Sequence, residues 1–237
     1  MHNTLAIARR QFASYFNGPI AYIVLCAVLL IFGFMFWRTF FLYQVASTRQ
    51  MVIWLPVMLI VAAPALTMGL LAEEKRSGTI ELLLTMPVKD WEVIVGKFLG
   101  VLGLYGVLLV LTVPYVLSVA SLGDLDGGPV FTGYLGLLLT GAAMLAIGLM
   151  FSSFTTNQIV AFFAAAFVCF FLWLLDKFLP FVPAGAVQDT LEYIAIDPHL
   201  QDMARGVIDT RDVVYFVSLT GLALLLGFRG LESRRWR

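Results

Sequence analysis

The stretch of the sequence best suited to recognising another molecule runs from Glu73 to Asp90, because it combines closely spaced charges with an apolar helical pattern. Two carboxylates and two cations precede Gly78. Three aliphatic side chains would share one side of a short helix and two polar side chains another. The apolar side consists of Ile80, Leu83 and Leu84, and the polar side of Glu81 and Thr85. Such a helix suits a groove in a partner protein, where apolar anchors supply affinity and charges set the register.

The same residues predict where this helix begins and ends. Gly78 with Glu81 three residues later resembles an N-cap followed by an acidic third position, and Pro87 cannot continue a helix. We therefore predict a helix over about 78–87. The alternative is a solvated loop whose apolar side rests on lipid headgroups.

The sequence offers little for catalysis or metal binding. It contains no G-x-x-x-x-G-K-[ST] motif, so nothing in this chain is expected to cradle nucleotide phosphates. Glu73 and Glu74 resemble the paired glutamates of intramembrane metalloproteases, but the two histidines, His2 and His199, lie outside the apolar runs. We expect no metal site and no cofactor in this chain, and we expect His199 to be a surface residue.

Composition places the chain in a membrane. Of its 237 residues, 61% are hydrophobic and 13% are charged, whereas soluble domains have about a quarter of their residues charged. The mean hydropathy is +0.93. These values predict a single transmembrane domain over 1–237 that belongs to the all-α class of membrane proteins.

Six apolar runs are long enough to be transmembrane helices. The predicted spans are about 19–43, 52–72, 93–122, 131–151, 158–177 and 212–231. The second span contains Pro56 and Pro64, which should bend it. The last span is short, so Asp212 and Arg229 should reach the two interfaces.

Further helices are predicted outside the spans. Residues 2–17 have the pattern of an N-terminal interfacial helix, and residues 186–208 that of two short amphipathic extracytoplasmic helices before the last span. The third apolar run exceeds a bilayer width, so Lys97 should protrude from the membrane. On the same run, small residues form a seam for close helix packing. The seam consists of Gly96, Gly100 and Gly103.

The distribution of basic residues predicts the orientation. Ten of the fifteen Lys and Arg residues fall on one side if both termini and the 73–92 loop share that side. Since basic residues mark the cytoplasmic side, we expect both termini and this loop to be cytoplasmic.

The order of these elements resembles the ABC type-2 transporter permease family. The segment from Glu73 to Pro87 is similar to that family's acidic, Gly-Thr-x-Glu, leucine-rich, proline-ended segment. Within the family, three stretches resemble the branch of the gliding-motility permease GldF. These are Phe16–Ile20, Glu73–Leu84 and Thr156–Ala161.

The resemblance implies a multi-pass permease subunit of the bacterial inner membrane that is not itself an enzyme. A separate cytoplasmic ABC ATPase dimer would bind ATP and Mg²⁺, and its hydrolysis would drive export or movement of a substrate. The segment between spans two and three would be the coupling helix. The implied ATPase contacts are Glu73, Glu74, Arg76, Gly78, Thr79, Glu81, Leu82, Leu83, Leu84 and Pro87.

The resemblance also implies partners within the membrane. The chain would pair with a second permease copy or with a homologous membrane protein bearing a large extracytoplasmic domain, surrounded by lipid and without nucleic acid. Two other functions remain open from the residues. One is a membrane anchor that recruits a cytoplasmic protein without transport, and the other is an intramembrane metalloprotease.

Overall fold

The computed structural model describes residues 2–43, 49–79, 89–123, 126–183 and 185–232. Within these ranges the chain forms helices and no strands. The helices are α1 (His2–Phe16), α2 (Pro19–Tyr43), α3 (Arg49–Thr67), α4 (Gly69–Arg76), α5 (Asp90–Leu122), α6 (Gly127–Phe154), α7 (Gln158–Phe178), α8 (Ala186–Ile194), α9 (Ile196–Ala204) and α10 (Thr210–Glu232). A single 3-10 turn, Leu179–Phe181, follows α7.

Among the described residues, six helical segments are long and apolar enough to span a membrane, which confirms the predicted all-helical architecture with six candidate spans. They are Ala21–Leu42, Met51–Arg76, Asp90–Leu122, Gly127–Phe154, Gln158–Phe181 and Thr210–Glu232. Several extend beyond the apolar runs of the sequence. The second segment comprises α3 and α4 and continues through a charged stretch to Arg76.

The centre of the bundle is α6, which packs against α3, α5, α7, α9 and α10. Four of its glycines allow close approaches, since a Cβ atom at each of the four would meet a side chain of a neighbouring helix. The neighbours are Val52 at Gly133, Leu200 and Met203 at Gly136, Tyr105 at Gly141, and Thr67 at Gly148. As a result, α6 runs the length of the bundle in contact with elements at both of its ends.

The N-terminal helix α1 lies along α5 on the glycine seam. A Cβ atom at Gly96 would lie 2.8 Å from Cβ of Ile7, and one at Gly100 would lie 2.7 Å from Cβ of Gln11. At Gly103 it would lie 3.1 Å from the ring of Phe12. The contact extends for about two helical turns. Therefore α1 is a packed part of the bundle, and its placement in the membrane interface stays a prediction.

The bundle has two ends, which we call the α4 end and the α9 end. At the α9 end, Arg49, Lys177 and Asp197 line one cavity of about 190 Å³, so the start of α3, the end of α7 and the start of α9 meet there. The Thr132 hydroxyl of α6 donates to the Met203 carbonyl of α9 at 2.6 Å. Burial raises the pKa of Asp197, although the Lys177 ammonium opposes this effect.

One sequence-based expectation at the α9 end is wrong. His199 is not a surface residue, because only 8% of it is exposed. Asp212 is also buried, with 4% exposed, and its position at the membrane interface stays a prediction. The two side chains are joined by a hydrogen bond of 2.7 Å between Nδ1 and Oδ1. Their burial depends on a tertiary contact between α9 and α10 that local sequence does not encode.

The glycine seam generates a first prediction. Gly100→Ala should weaken the packing of α1 on α5 and lower the free energy of unfolding by about 1–3 kcal/mol, since the added methyl meets Gln11 and the Ala8 carbonyl. Thermal unfolding of the purified protein in detergent measures the change. The matched control is Gly106→Ala on the same helix, where no atom lies within 4 Å of the added Cβ. That variant should gain up to about 1 kcal/mol. Equal effects of the two substitutions would contradict the packing account.

Candidate functional site

The second spanning segment is divided into α3 and α4 at the point where it approaches the charged stretch. Because Pro64 lacks an N–H group, it weakens the last turns of α3, which ends at Thr67. One turn residue, Met68, then separates α3 from α4. The Thr67 hydroxyl donates to the Ala63 carbonyl at 2.8 Å and lies against Gly148 of α6. The junction of α3 and α4 therefore lies against a glycine of the central helix.

A serine of α6 holds the start of α4. The first backbone N–H groups of a helix have no partner within it. The Ser152 hydroxyl accepts hydrogen bonds from the N–H groups of Leu71 at 3.0 Å and Ala72 at 3.1 Å. It also donates to the Met68 carbonyl at 2.9 Å. These bonds hold the start of α4 against the end of α6.

Lys97 joins α4 to α5 and α1. Its ammonium forms an ion pair with Glu74 Oε1 at 2.7 Å and donates to the Leu70 carbonyl at 2.8 Å. A longer bond of 3.5 Å reaches Gln11 Oε1 of α1. Only 3% of the Lys97 side chain is exposed, so Lys97 packs inside the bundle, and its position relative to the membrane stays a prediction. The partners on α4 lie in a segment that precedes Lys97 by more than twenty residues, and they draw the ammonium into the bundle.

A second lysine, Lys75, fastens α4 to the end of α6. It is buried, and its ammonium donates to the carbonyl of Ser153 in the last turn of α6. Carbonyl groups at a helix C-terminus have no partner in the helix, and a cation is favoured there by the helix dipole. Consequently Lys75 caps α6 and cannot be part of the exposed charged surface.

The exposed part of the predicted ATPase-contact set lies just beyond these anchors. Glu73, Arg76, Gly78 and Thr79 are exposed, whereas Glu74 is half-buried by its ion pair. The Ser77 hydroxyl donates to the Glu73 carbonyl at 2.9 Å. The remaining predicted contacts lie outside the described residues. They are Glu81, Leu82, Leu83, Leu84 and Pro87.

Gly78 ends α4, and the next residue, Thr79, is again helical, at the place where the sequence predicted a helix to begin. The φ of Gly78, +73°, is in the left-handed region, and Gly78 directly follows Ser77, the C-cap of α4. This is the geometry of a glycine that terminates a helix. Gly78 therefore turns the chain away from α4 by ending that helix. Most of the predicted helix over 78–87 lies outside the described residues.

The chain returns to the bundle through an anchored helix start. Glu92 is buried at the third position of α5, and its Oε2 accepts a hydrogen bond from the Lys89 N–H at 3.0 Å. This hydrogen bond is the acidic half of a capping box, in which a side chain at the third helical position accepts from the backbone N–H group of the N-cap residue. Asp90 is also buried in the first turn of α5. Both ends of the segment 80–88 are thus attached to packed helices, one through α4 and the other through α5.

A cavity beside α4 was not predicted from the sequence. It has a volume of about 390 Å³ and is lined by residues of α1, α3, α4 and the start of α7, including Tyr15, Glu73, Thr79 and Gln158. The Tyr15 hydroxyl donates to the Leu66 carbonyl at 2.7 Å, and burial raises the pKa of Tyr15, so the hydroxyl keeps its proton. The cavity leaves space between α1 and the exposed end of α4.

The arrangement does not assemble a hydrolytic metal centre from the paired glutamates and His199. Glu73 and Glu74 lie at the α4 end, whereas His199 lies at the α9 end with Asp212 as its partner. Across the described ranges, no group of three His, Cys, Asp or Glu side chains could hold a metal ion. What the site offers is an exposed charged turn rigidly connected to α5 and α6.

Comparison with known proteins identifies the family. The family model of an ABC-2 family transporter protein matches residues 38–196, which is more than half of the chain. The matched range includes α4, the segment 80–88 and the start of α5. No curated protein matches the sequence. Members of this family are membrane components without an ATPase of their own. With its six apolar helices and this match, the chain belongs to the ABC-2 family of transporter proteins.

Proposed function

We propose that this chain is the permease subunit of an ATP-binding cassette transporter. We further propose that residues 73–90 form the segment to which a separate ATPase binds. The ATPase binds ATP and Mg²⁺, and its conformational change pulls on this segment. The observation that carries the proposal is the attachment of α4, through Lys97 and Lys75, to the two helices that form the core of the bundle.

The anchors make the segment suitable for transmitting displacement. A force on the exposed turn reaches α5 through the Glu74–Lys97 ion pair and reaches α6 through Lys75 and Ser152. On the other side, Glu92 ties the returning chain to the first turn of α5. Packed helices move as rigid bodies, so a pull on the segment becomes a shift of α5 and α6. A flexible tether would absorb the same displacement.

The exposed chemistry suits a protein groove. Glu73, Arg76 and Thr79 present charges and a hydroxyl next to the predicted apolar side of the segment. In this proposal the apolar residues Leu82 to Leu84 insert into the ATPase and the charged residues set the register. Such a division of roles is common at helix-in-groove contacts.

The wider assembly follows from the family and from the apolar surface. An ABC transporter needs an ATPase partner, and we propose that two permease chains pair in the membrane, as a homodimer or with a homologous partner bearing an extracytoplasmic domain. Exposed aromatic side chains on α7, including Phe163, Phe167 and Phe171, provide an apolar surface for lipid or for such a partner. We propose export across the inner membrane, with both termini cytoplasmic. The link to gliding motility stays a prediction that the neighbouring genes would test.

The docking segment can be tested with one charge substitution. Leu83→Asp should reduce co-purification of the ATPase at least about tenfold and abolish stimulation of its ATP hydrolysis, since a buried anchor becomes a carboxylate. The matched control is Val187→Asp, an exposed apolar position on α8 at the α9 end. It should leave both measurements unchanged.

The outcomes separate the proposed function from the anchor function. If Leu83→Asp retained full ATPase binding and stimulation, the docking assignment would be wrong. If the native chain bound a cytoplasmic protein but never stimulated hydrolysis, the chain would be a membrane anchor and not a permease.

The orientation is tested by labelling single cysteines in intact cells, in a variant with Cys26 and Cys169 replaced by Ala. Ser77→Cys and Thr190→Cys are well matched, since each exposed hydroxyl donates to the carbonyl four residues earlier. A membrane-impermeant maleimide should label Thr190→Cys in intact cells and Ser77→Cys only after permeabilisation. The reverse pattern would place the segment on the outer face and refute the proposed ATPase contact.

A further inference from the structure

The cavity beside α4 contains a carboxylate that no protein group neutralises. Its volume is about 390 Å³, and the exposed residues Glu73 and Thr79 are part of its wall, so it is accessible from outside the bundle. The neighbouring Glu74 is paired with Lys97. Among the described residues, no hydrogen bond or ion pair engages the Glu73 carboxylate. A ligand that enters this cavity therefore meets an unpaired anionic group.

A glycine of α4 keeps the space in front of this carboxylate open. A Cβ atom at Gly69 would lie 3.3 Å from Oε2 of Glu73 and 3.8 Å from Nε2 of Gln158. All three residues line the cavity. The two polar side chains thus converge on a space that a larger residue at position 69 would fill.

The wall of the cavity attracts positive charge. Two carboxylates, Glu73 and Glu74, line it, and the described residues that line it include no Lys or Arg. Two helix C-termini also meet there, since Tyr15 lies in the last turn of α1 and Leu66 in the last turn of α3. A helix C-terminus carries a partial negative charge. One carboxylate and two helix ends therefore remain uncompensated after Lys97 has neutralised Glu74.

Nearby cations of the chain do not compensate Glu73. Lys75 donates to the Ser153 carbonyl. Arg10 of α1 and Arg76 of α4 are exposed and do not line the cavity. The segment 80–88, which continues from Thr79, contains no Lys or Arg at all. Neither α4 nor the segment that follows it thus supplies the counter-charge.

The rest of the wall suits the apolar part of an organic cation. Tyr15, Leu66 and Leu70 line the cavity, and an aromatic face attracts a cation while aliphatic side chains bury hydrocarbon. Pockets for small organic ligands have volumes of about 300–1,000 Å³, so the cavity has the size for such a ligand. Across the described ranges, no group of three His, Cys, Asp or Glu side chains could hold a metal ion. The chemistry of the wall therefore favours an organic cation over a metal ion.

We infer that the cavity beside α4 binds an ammonium group carried on an apolar stem, with Glu73 as the counter-charge and Gly69 as the residue that leaves room for it. An amine-bearing lipid headgroup and a soluble alkylamine both present this chemistry. The ligand lies between α1 and the turn at Thr79, next to the segment proposed to bind the ATPase. The inference does not rest on that proposal, and its tests use no ATPase.

Equilibrium binding to the purified chain in a neutral maltoside detergent, measured by native mass spectrometry, tests the inference. One pair of probes is dioctanoyl phosphatidylethanolamine and dioctanoyl phosphatidylglycerol, which have the same acyl chains but differ in the ammonium group. The other pair is hexylammonium and hexanol. In at least one pair, the ammonium probe should bind at least about tenfold more tightly, since a charge-assisted hydrogen bond is gained. A preference in the lipid pair alone identifies a lipid headgroup as the ligand, and a preference in the hexyl pair identifies a soluble amine. Equal binding within both pairs would overturn the inference.

A pair of glutamate variants locates the counter-charge. Glu73→Gln should abolish the preference for the ammonium probe, because the amide has nearly the same shape and no charge. The matched control is Glu192→Gln, which changes an exposed glutamate of α8 at the α9 end and should keep the preference. A preference that survives in Glu73→Gln would refute the assigned counter-charge.

A pair of glycine variants locates the ligand in the cavity and leaves the carboxylate in place. Gly69→Ala should weaken binding of the ammonium probe at least about fivefold, since the added methyl occupies the space in front of Glu73. The control is Gly221→Ala on α10, where no atom lies within 4 Å of the added Cβ, and it should bind like the parent. Unchanged binding in Gly69→Ala would place the ligand outside the cavity and refute the site.

Discussion

A lysine ammonium enclosed among three helices is the constraint on which the α4 end of the molecule depends. Burying an ammonium is unfavourable unless it is paired and hydrogen-bonded. Lys97 finds both kinds of partner on α4, in the Glu74 carboxylate and the Leu70 carbonyl, and a third contact in Gln11 of α1. Moving α4 away from α5 would leave this cation in the bundle without its counter-charge. The exposed turn that follows α4 therefore cannot move independently of α5.

The central helix connects this constraint to the opposite end of the bundle. At the α4 end, Ser152 and the Ser153 carbonyl bind the start and the last turn of α4. At the α9 end, Thr132 donates to the Met203 carbonyl, and Gly136 lies directly beneath Leu200. The same rigid helix thus contacts the proposed ATPase segment and the short helices on the other side. Packed contacts are therefore continuous from α4 through α6 to α9. In the proposed transporter, a displacement of α4 is transmitted to α9 through these contacts.

The sequence predicted well those properties of the fold that depend on local segments of the chain. Apolar runs of sufficient length predicted the six spans, because crossing a bilayer depends on the length and hydropathy of each run alone. Glycine spacing on α5 indicated a packing surface, and the structure shows that α1 occupies it. The charged segment from Glu73 to Asp90 led to the family, which the matching model confirms. The branch within the family stays a prediction.

What the sequence could not predict depends on partners distant along the chain. Lys97 looked like a residue that reaches water, but Glu74 and Leu70 draw it inward from another helix. His199 looked like a surface histidine, yet its partners are the Tyr193 carbonyl and a carboxylate thirteen residues later on α10. In both cases a local pattern gives the helix, whereas the burial of a polar side chain follows from a tertiary contact. Local patterns therefore do not show that these two polar side chains are buried.

The most direct measurement is a double-mutant cycle at the Lys97–Glu74 pair, with stability and ATPase stimulation read in parallel. Lys97→Met alone should lower the free energy of unfolding by about 2–4 kcal/mol, since it leaves the half-buried Glu74 carboxylate without its counter-charge. Adding Glu74→Met should restore stability to within about 1 kcal/mol, because both charges are then gone. The account predicts that the double variant, although stable, fails to stimulate the ATPase. A stable double variant with full stimulation would contradict the claim that this pair transmits motion.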